Sequence, residues 1–199
     1  MRRQPFLSGA ILLSKPGIDK RKTVLRTVRI SESLAGSLKN EAADEGTTVN
    51  ADINSILSQH FEWNKKAREF GIGAVPKSLI MSLIEAVDDE TLARVGREVL
   101  FPTWKEMAEY WIQDSSPNGL LNFMSFRSKF SPSNLIKITR EEDTYTVVSR
   151  HDFGPRWSII IKSAIQELVK QSFHVEPRIS MGESVVTTRF KVNPRKSPT

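Results

Sequence analysis

The stretch VLRTVRIS, residues 24–31, most constrains the fold, because its alternating polarity predicts a short β-strand with no partner strand nearby in the chain. Val28 and Ile30 would point inward, and Thr27 and Arg29 outward. A strand needs a partner for its backbone hydrogen bonds, and a domain of about 45 residues seldom buries enough apolar surface to fold alone. We therefore expect two copies of the chain to pair these strands and to interlock the helices that follow.

Two helices are predicted after the strand, each with its own start signal. Ser31 is a good N-cap for the first helix, and Gly46 suits the position after its last turn. Thr47 and Thr48 offer caps for a second helix, whose apolar stripe continues to about Phe70. The order of the signals is thus strand, capped helix, glycine and capped helix.

This order resembles the ribbon–helix–helix family, the Arc, MetJ and CopG type of DNA-binding proteins. The similarity lies in RTVRISESLAGSLKNEAADEG, for the strand and first helix, and in GTTVNADI, for the turn and the start of the second helix. It covers roughly a quarter of the chain. The resemblance implies an intertwined homodimer whose two-stranded ribbon enters the major groove of DNA. It also implies a sequence-specific transcriptional regulator, with repression as the favoured action.

In that family, alternate outward residues of the strand read the bases. The matching positions here are Leu25, Thr27 and Arg29. Arg29 can donate two hydrogen bonds to guanine, and Thr27 can bond a base edge or touch a thymine methyl group. Leu25 departs from the polar residue that is usual at its position, so its contribution is the weakest of the three.

The resemblance also implies contacts to phosphate. The backbone at the start of the family's second helix holds a phosphate, because free N–H groups and the helix dipole attract anions there. Basic side chains around the strand would add non-specific affinity. The residues predicted to contact phosphate are Arg21, Lys22, Arg26, Thr47, Thr48, Val49 and Asn50.

Basic residues are concentrated near the N-terminus. Residues 1–30 contain eight Lys or Arg residues and a single acid, Asp19, whereas the whole chain has a net charge of +6. Such asymmetry favours a polyanionic partner, most often nucleic acid, although a basic leader that aids solubility is the alternative. We expect residues 1–22 to form a flexible basic arm ahead of a DNA-binding and dimerisation domain at residues 23–71.

A second domain is predicted over residues 76–193, after the segment GIGAVP. Its pattern indicates helices followed by a hairpin, a helix and a second hairpin, which is typical of an α+β domain with a four-stranded antiparallel sheet. Thr103 and Glu106 form an apparent capping box at the start of one helix. Residues 194–199 are expected to be a tail. The expected fold class is therefore an N-terminal ribbon–helix–helix domain followed by an α+β domain of unrecognised family.

The stretch SRHDFGPRWS suggests a ligand site in this second domain. Arg150, His151, Asp152 and Arg156 cluster where a strand passes into a helix, and two arginines beside a helix N-terminus can bind an anion. The alternative is structural: Asp152 caps the helix and His151 is a satisfied polar residue. Because no nucleophile or third catalytic group is evident, we expect no enzymatic activity.

Composition argues against a metal, a cofactor or a membrane span. The chain has no cysteine, and its three histidines are scattered at positions 60, 151 and 174. The apolar run from Phe6 to Leu13 is too short to cross a bilayer. We therefore expect a cytoplasmic protein with no cofactor, no metal and no membrane partner.

Two other functions remain open. Many ribbon–helix–helix proteins are antitoxins, but those usually carry a short disordered tail that folds on the toxin, not a large second domain. The second domain could instead be an enzyme or ligand-binding domain tethered to a DNA-binding module. The expected partners are double-stranded DNA and a second copy of the chain. Tetramers and a small-molecule effector are further candidates.

Overall fold

The computed structural model of the 199-residue chain describes residues 24–131 and 134–192. These residues belong to two compact units that divide between Gly73 and Ala74. The predicted basic arm and C-terminal tail lie outside the described residues, and so do Arg21 and Lys22.

Residues 24–31, called here the N-terminal segment, differ from expectation. The segment has no regular secondary structure, and all of its residues are exposed. Among the described residues the first helix begins at Glu32, and the only sheet follows the helices of the second unit. The predicted N-terminal strand, and with it the ribbon–helix–helix fold class, is therefore wrong. Alternation alone does not stabilise a strand: Val28 is 71% exposed, and no described strand offers the segment a ladder of hydrogen bonds.

The helices of the first unit begin and end at the predicted signals. The Ser31 side chain accepts a hydrogen bond from the backbone N–H of Leu34 at 3.3 Å, and Thr48 accepts one from Ala51 at 3.2 Å. Gly46 follows the first helix with a φ of 66°, a left-handed conformation that glycine adopts without strain. The elements are α1 (Glu32–Asp44), α2 (Val49–Ser58), a π-helical stretch (Gln59–Asn64) and α3 (Lys65–Phe70).

The second unit starts with helices whose caps are also local. Asp88 and Ser116 accept hydrogen bonds from the first turns of α5 (Asp89–Val95) and α7 (Pro117–Ser128). The predicted capping box at Thr103 is wrong, because its hydroxyl donates to the carbonyl of Val99 within a continuous helical run. A π-helical stretch just before Pro102 accommodates a residue that has no N–H to donate. The elements are α4 (Lys77–Glu85), α5 (Asp89–Val95), a π-helical stretch (Gly96–Leu100), α6 (Phe101–Ile112) and α7 (Pro117–Ser128).

A four-stranded antiparallel sheet completes the second unit, in the hairpin, helix and hairpin order expected from the sequence. Across the sheet, the first strand of the chain is followed by the second, the fourth and the third, so the two hairpins meet through the second and fourth strands. One helix crosses between the hairpins and packs on the sheet. The elements are β1 (Asn134–Glu141), β2 (Thr144–His151), α8 (Pro155–Phe173), β3 (Arg178–Met181) and β4 (Val185–Lys191).

The core of the second unit lies between α8 and one face of the sheet. Alternate residues of β2 and β4 point toward α8 and are buried, as the period of two requires. The rings of Phe173 and Phe190 meet there at 4.9 Å. The π-helical stretch also approaches α8 closely, because a Cβ added at Gly96 would collide with the carbonyl oxygen of Ile160. The side of the sheet directed away from α8 is called here the outer face.

Candidate functional site

The three residues predicted to read bases lie together on the N-terminal segment. Leu25, Thr27 and Arg29 are all exposed, and Leu25 is 91% exposed. The capped start of α1 fixes the position at which the segment enters the helix. Among the described residues, neither Arg26 nor Arg29 takes part in an ion pair, so both guanidinium groups are free to meet a ligand.

The start of α2 provides the predicted phosphate contacts at Thr47, Thr48, Val49 and Asn50. Thr48 caps the helix and satisfies one N–H group, while the first N–H groups of the helix keep no partner within it. Asp52 stands in the first turn, and one of its carboxylate oxygens is buried without a hydrogen-bond partner among the described residues. This negative charge stabilises the helix but weakens the attraction for a phosphate. The site is therefore a weak anion site unless nearby arginines assist it.

The four residues of the second predicted site do not converge on one ligand. Arg150 is exposed on the outer face, whereas His151, the next residue of the strand, is only 6% exposed and faces α8. Asp152 does not cap α8; its carboxylate pairs with the ammonium group of Lys77 at 2.7 Å. The structure thus gives these neighbours in sequence separate surroundings.

Arg156 is committed to structural contacts. Its guanidinium donates to the carbonyls of Ile84 and Val87 at the end of α4, and pairs with the carboxylate of Asp89 at 3.0 Å. It therefore ties the end of α4 and the start of α5 to the start of α8. An anionic ligand would have to displace these bonds to reach it.

His151 and Ser158 form a buried pair that resembles a catalytic dyad only in composition. The Nε2 atom of His151 lies 2.8 Å from the hydroxyl of Ser158, and that hydroxyl donates to the carbonyl of Gly182 at 2.9 Å. Because the hydroxyl has one proton, Nε2 must donate to it, and the imidazole cannot act as its base. Burial lowers the pKa of His151, and the charge of Asp152 partly opposes this shift. The pair therefore holds β2, α8 and the β3–β4 turn together.

Basic residues on the outer face were missed by sequence reasoning. Arg178, Arg189 and Lys191 line a cavity of about 320 Å³, together with Thr144, Glu176 and Phe190. The signal was present in the strand patterns VEPRIS and SVVTTRFKV. In the second stretch, Arg189 and Lys191 alternate with the buried residues Val186, Thr188 and Phe190, which places the two cations on one face. Only the register of the sheet shows that the cations of several strands share one face.

Comparisons with known proteins found no family model, no curated protein and no solved structure that matches this chain. Over residues 24–131 and 134–192, no group of three or more His, Cys, Asp or Glu side chains is placed to hold a metal ion. Within the same ranges, every helix is too short or too polar to pass through a bilayer. The candidate function rests on the geometry of the chain itself.

Proposed function

We propose that this protein is a DNA-binding transcriptional regulator, acting as a cytoplasmic homodimer and favouring repression. The observation that carries the proposal is the N-terminal segment, which presents Thr27 and Arg29 to solvent directly before a capped helix. An exposed, irregular segment that carries arginine can enter a groove of duplex DNA without forming a sheet.

The chemistry of the segment suits base recognition. The planar guanidinium of Arg29 can donate two hydrogen bonds to O6 and N7 of guanine in the major groove, and Thr27 can bond a base edge. Leu25 can contact a thymine methyl group, while Arg26 supplies a phosphate contact that is independent of sequence. The free N–H groups at the start of α2 would hold a second phosphate.

The homodimer is proposed from the apolar surface of the first unit. Among residues 24–73, the buried hydrophobic side chains are Leu38, Ala42 and Ala67, which is a small core. A larger set of apolar side chains is exposed to solvent, and exposed patches of this kind mark interaction surfaces. A second copy offers the same apolar surface, so a symmetric contact would bury both. Outside the N-terminal segment, the exposed set is Leu34, Ile56, Leu57, Phe61 and Ile72.

Selection of bound duplexes from a random pool tests the proposal, followed by titration of the selected duplex and a scrambled one. We expect Arg29→Ala to weaken binding to the selected duplex by about 10- to 100-fold, and to change binding to the scrambled duplex much less. Arg68→Ala is the matched control, because Arg68 is an exposed cation of the same unit at the end of α3. A pool that yields no preferred sequence, or equal losses for both variants, would refute specific recognition.

A further inference from the structure

The outer face of the sheet carries an unbalanced set of cations. Each of the four strands contributes at least one basic side chain, and all of these side chains are exposed. Among the outward positions of the four described strands, Glu141, at the end of β1, is the single acidic residue. Within the described residues, none of the cations takes part in an ion pair. The basic residues of the outer face are Lys137, Arg150, Arg178, Arg189 and Lys191.

The register brings three of these cations close together. Arg178 lies directly opposite Arg189 in the β3–β4 ladder, and Lys191 follows two residues further along β4 on the same face. Like charges directly opposite each other destabilise a strand pair, so a bound anion would relieve this repulsion. Glu176 also borders the cavity, but its carboxylate is already held by Lys170 at 3.1 Å. This ion pair keeps the pKa of Glu176 below its usual value.

The second group of cations lies toward the other end of the face. Arg150 lies opposite Val185, and Lys137 lies opposite Val148, at the end of the hairpin where β1 begins. From the usual rise per residue and strand spacing, Arg150 and Arg189 are about 14 Å apart along the face. That separation is close to the width of the DNA major groove, about 12 Å. The two groups of cations are thus spaced to reach phosphates on both sides of one groove.

Side chains between the cations favour a duplex over a single strand. The remaining outward positions hold small polar and aliphatic residues, and none of the outward positions described on the strands is aromatic. Proteins that bind single strands stack bases on aromatic rings, which this face lacks. Hydroxyl groups, in contrast, donate well to phosphate. The outward hydroxyl-bearing residues are Thr139, Thr144, Thr146, Ser180 and Thr187.

We propose that the outer face binds the phosphate backbone of duplex DNA, without sequence preference, as a second DNA-contacting surface of the protein. Arg178, Arg189 and Lys191, which line the cavity, would contact consecutive phosphates along one strand, and Arg150 and Lys137 would contact phosphates across the groove. This inference stands on the second unit alone, and it does not depend on base recognition by the N-terminal segment.

The test is titration of the full-length protein with a scrambled duplex of about 30 base pairs, between about 50 and 200 mM salt. In Arg178→Gln/Arg189→Gln/Lys191→Gln, we expect at least tenfold weaker binding at low salt. The slope of log K against log salt should become shallower by about three, because three phosphate contacts are lost. The charge-preserving variant Arg178→Lys/Arg189→Lys/Lys191→Arg should keep most of the slope.

The matched control is Arg94→Gln/Arg97→Gln/Lys105→Gln, which removes the same charge from exposed positions of α5, the following π-helical stretch and α6. Its slope should change by less than about one. Equal changes in the two triple variants would overturn the inference, because they would show an effect of net charge alone. An unchanged slope in the outer-face variant would overturn it as well.

Acetylation of the wild-type protein provides a test that needs no variant to fold. The scrambled duplex should protect Lys137 and Lys191 from acetylation and leave Lys105 reactive. Unprotected Lys137 and Lys191, or stronger protection by a single strand of equal length, would contradict duplex binding at this face. Failure of the proposed base recognition gives a different result: Arg29→Ala would then show no loss of discrimination, while the outer-face variant would still lower the salt slope.

Discussion

The N-terminal segment and strand β4 carry the same kind of alternating sequence but adopt different structures. In β4, Val186 and Thr188 are fully buried, and the residues between them point to the outer face. In the N-terminal segment, both sets of alternating side chains are exposed. The difference teaches that alternation becomes a strand where one face is buried and a neighbour completes the ladder. Without those two conditions, the same pattern leaves arginines and apolar residues available for other partners.

The largest expected effect contrasts the two patterns directly. Phe190→Ala should lower the free energy of unfolding by about 3–5 kcal/mol, because it removes a buried ring that packs on Phe173 and Tyr145. Leu25→Ala should change it by no more than about 0.5 kcal/mol, because the side chain is exposed. Urea denaturation measures both. A large loss in Leu25→Ala would show that the segment is buried in solution and would remove the contrast.

Local signals in the sequence predicted much of the fold. Ser31 and Thr48 cap helices as their positions suggested, since capping depends on residues only three apart. The hairpins and α8 also followed from local patterns. The N-terminal strand failed because strand pairing is a long-range property. The capping box predicted at Thr103 failed because a π-helical stretch lets the helix continue past a proline.

The candidate sites were harder to predict for the same physical reason. Arg150 and His151 are adjacent in sequence, but a strand sends neighbouring side chains to opposite faces, so they cannot serve one ligand. Arg178 and Arg189 are distant in sequence and lie opposite each other in the ladder. Sequence proximity therefore suggested a cluster that the fold separates, and it concealed a cluster that the fold assembles.

Glycines extend the comparison to helical positions of the two units. Gly96→Ala should destabilise the protein by about 1–3 kcal/mol, because the new methyl group would collide with Ile160 and Ser163 of α8. Gly36→Ala, in α1, should instead stabilise the protein by about 0.5–1 kcal/mol. A Cβ added at Gly36 would have no atom within 4 Å apart from its own helix backbone, and alanine favours a helix. Thermal unfolding of both variants measures the effects. If the unfolding temperatures of both variants shifted in the same direction, the inferred difference in packing around the two glycines would be contradicted.

The histidines offer a comparison that depends on pH. Burial lowers the folded-state pKa of His151, so the unfolded chain binds a proton more readily than the folded chain. Its contribution to stability is therefore complete above a pH of about 6.5 and is lost as the pH falls toward the folded-state pKa. The slope cannot exceed about 1.4 kcal/mol per pH unit for one proton. Unfolding in urea between pH 7 and 5 measures it.

The variants His151→Gln and His60→Gln separate this effect from general acid sensitivity. His60 is exposed in the first unit, whereas His151 is buried between β2 and α8. We expect His151→Gln to flatten the pH dependence over that range and His60→Gln to retain it. If His60→Gln flattened the pH dependence and His151→Gln retained it, the proton that changes the stability would bind in the first unit.

The smallest expected effect concerns the junction of the N-terminal segment with α1. Ser31→Ala removes the side chain that accepts from the N–H of Leu34, and it should lower the stability of the first unit by about 1 kcal/mol. Ser37→Ala is the matched control. Ser37 lies inside α1, where its hydroxyl bonds the carbonyl of Ser33, and alanine there should be neutral or stabilising by up to about 0.5 kcal/mol.

Unfolding followed by circular dichroism measures the stability of Ser31→Ala and Ser37→Ala. DNA titration then measures whether loss of the cap weakens binding. If Arg29 and Thr27 contact bases from a segment held by this cap, Ser31→Ala should weaken binding to the selected duplex more than to the scrambled one. The outer face should be unaffected, so the salt slope for the scrambled duplex should stay at its wild-type value. A loss of that slope in Ser31→Ala would show that the two surfaces are coupled, and that they cannot be treated as independent DNA contacts.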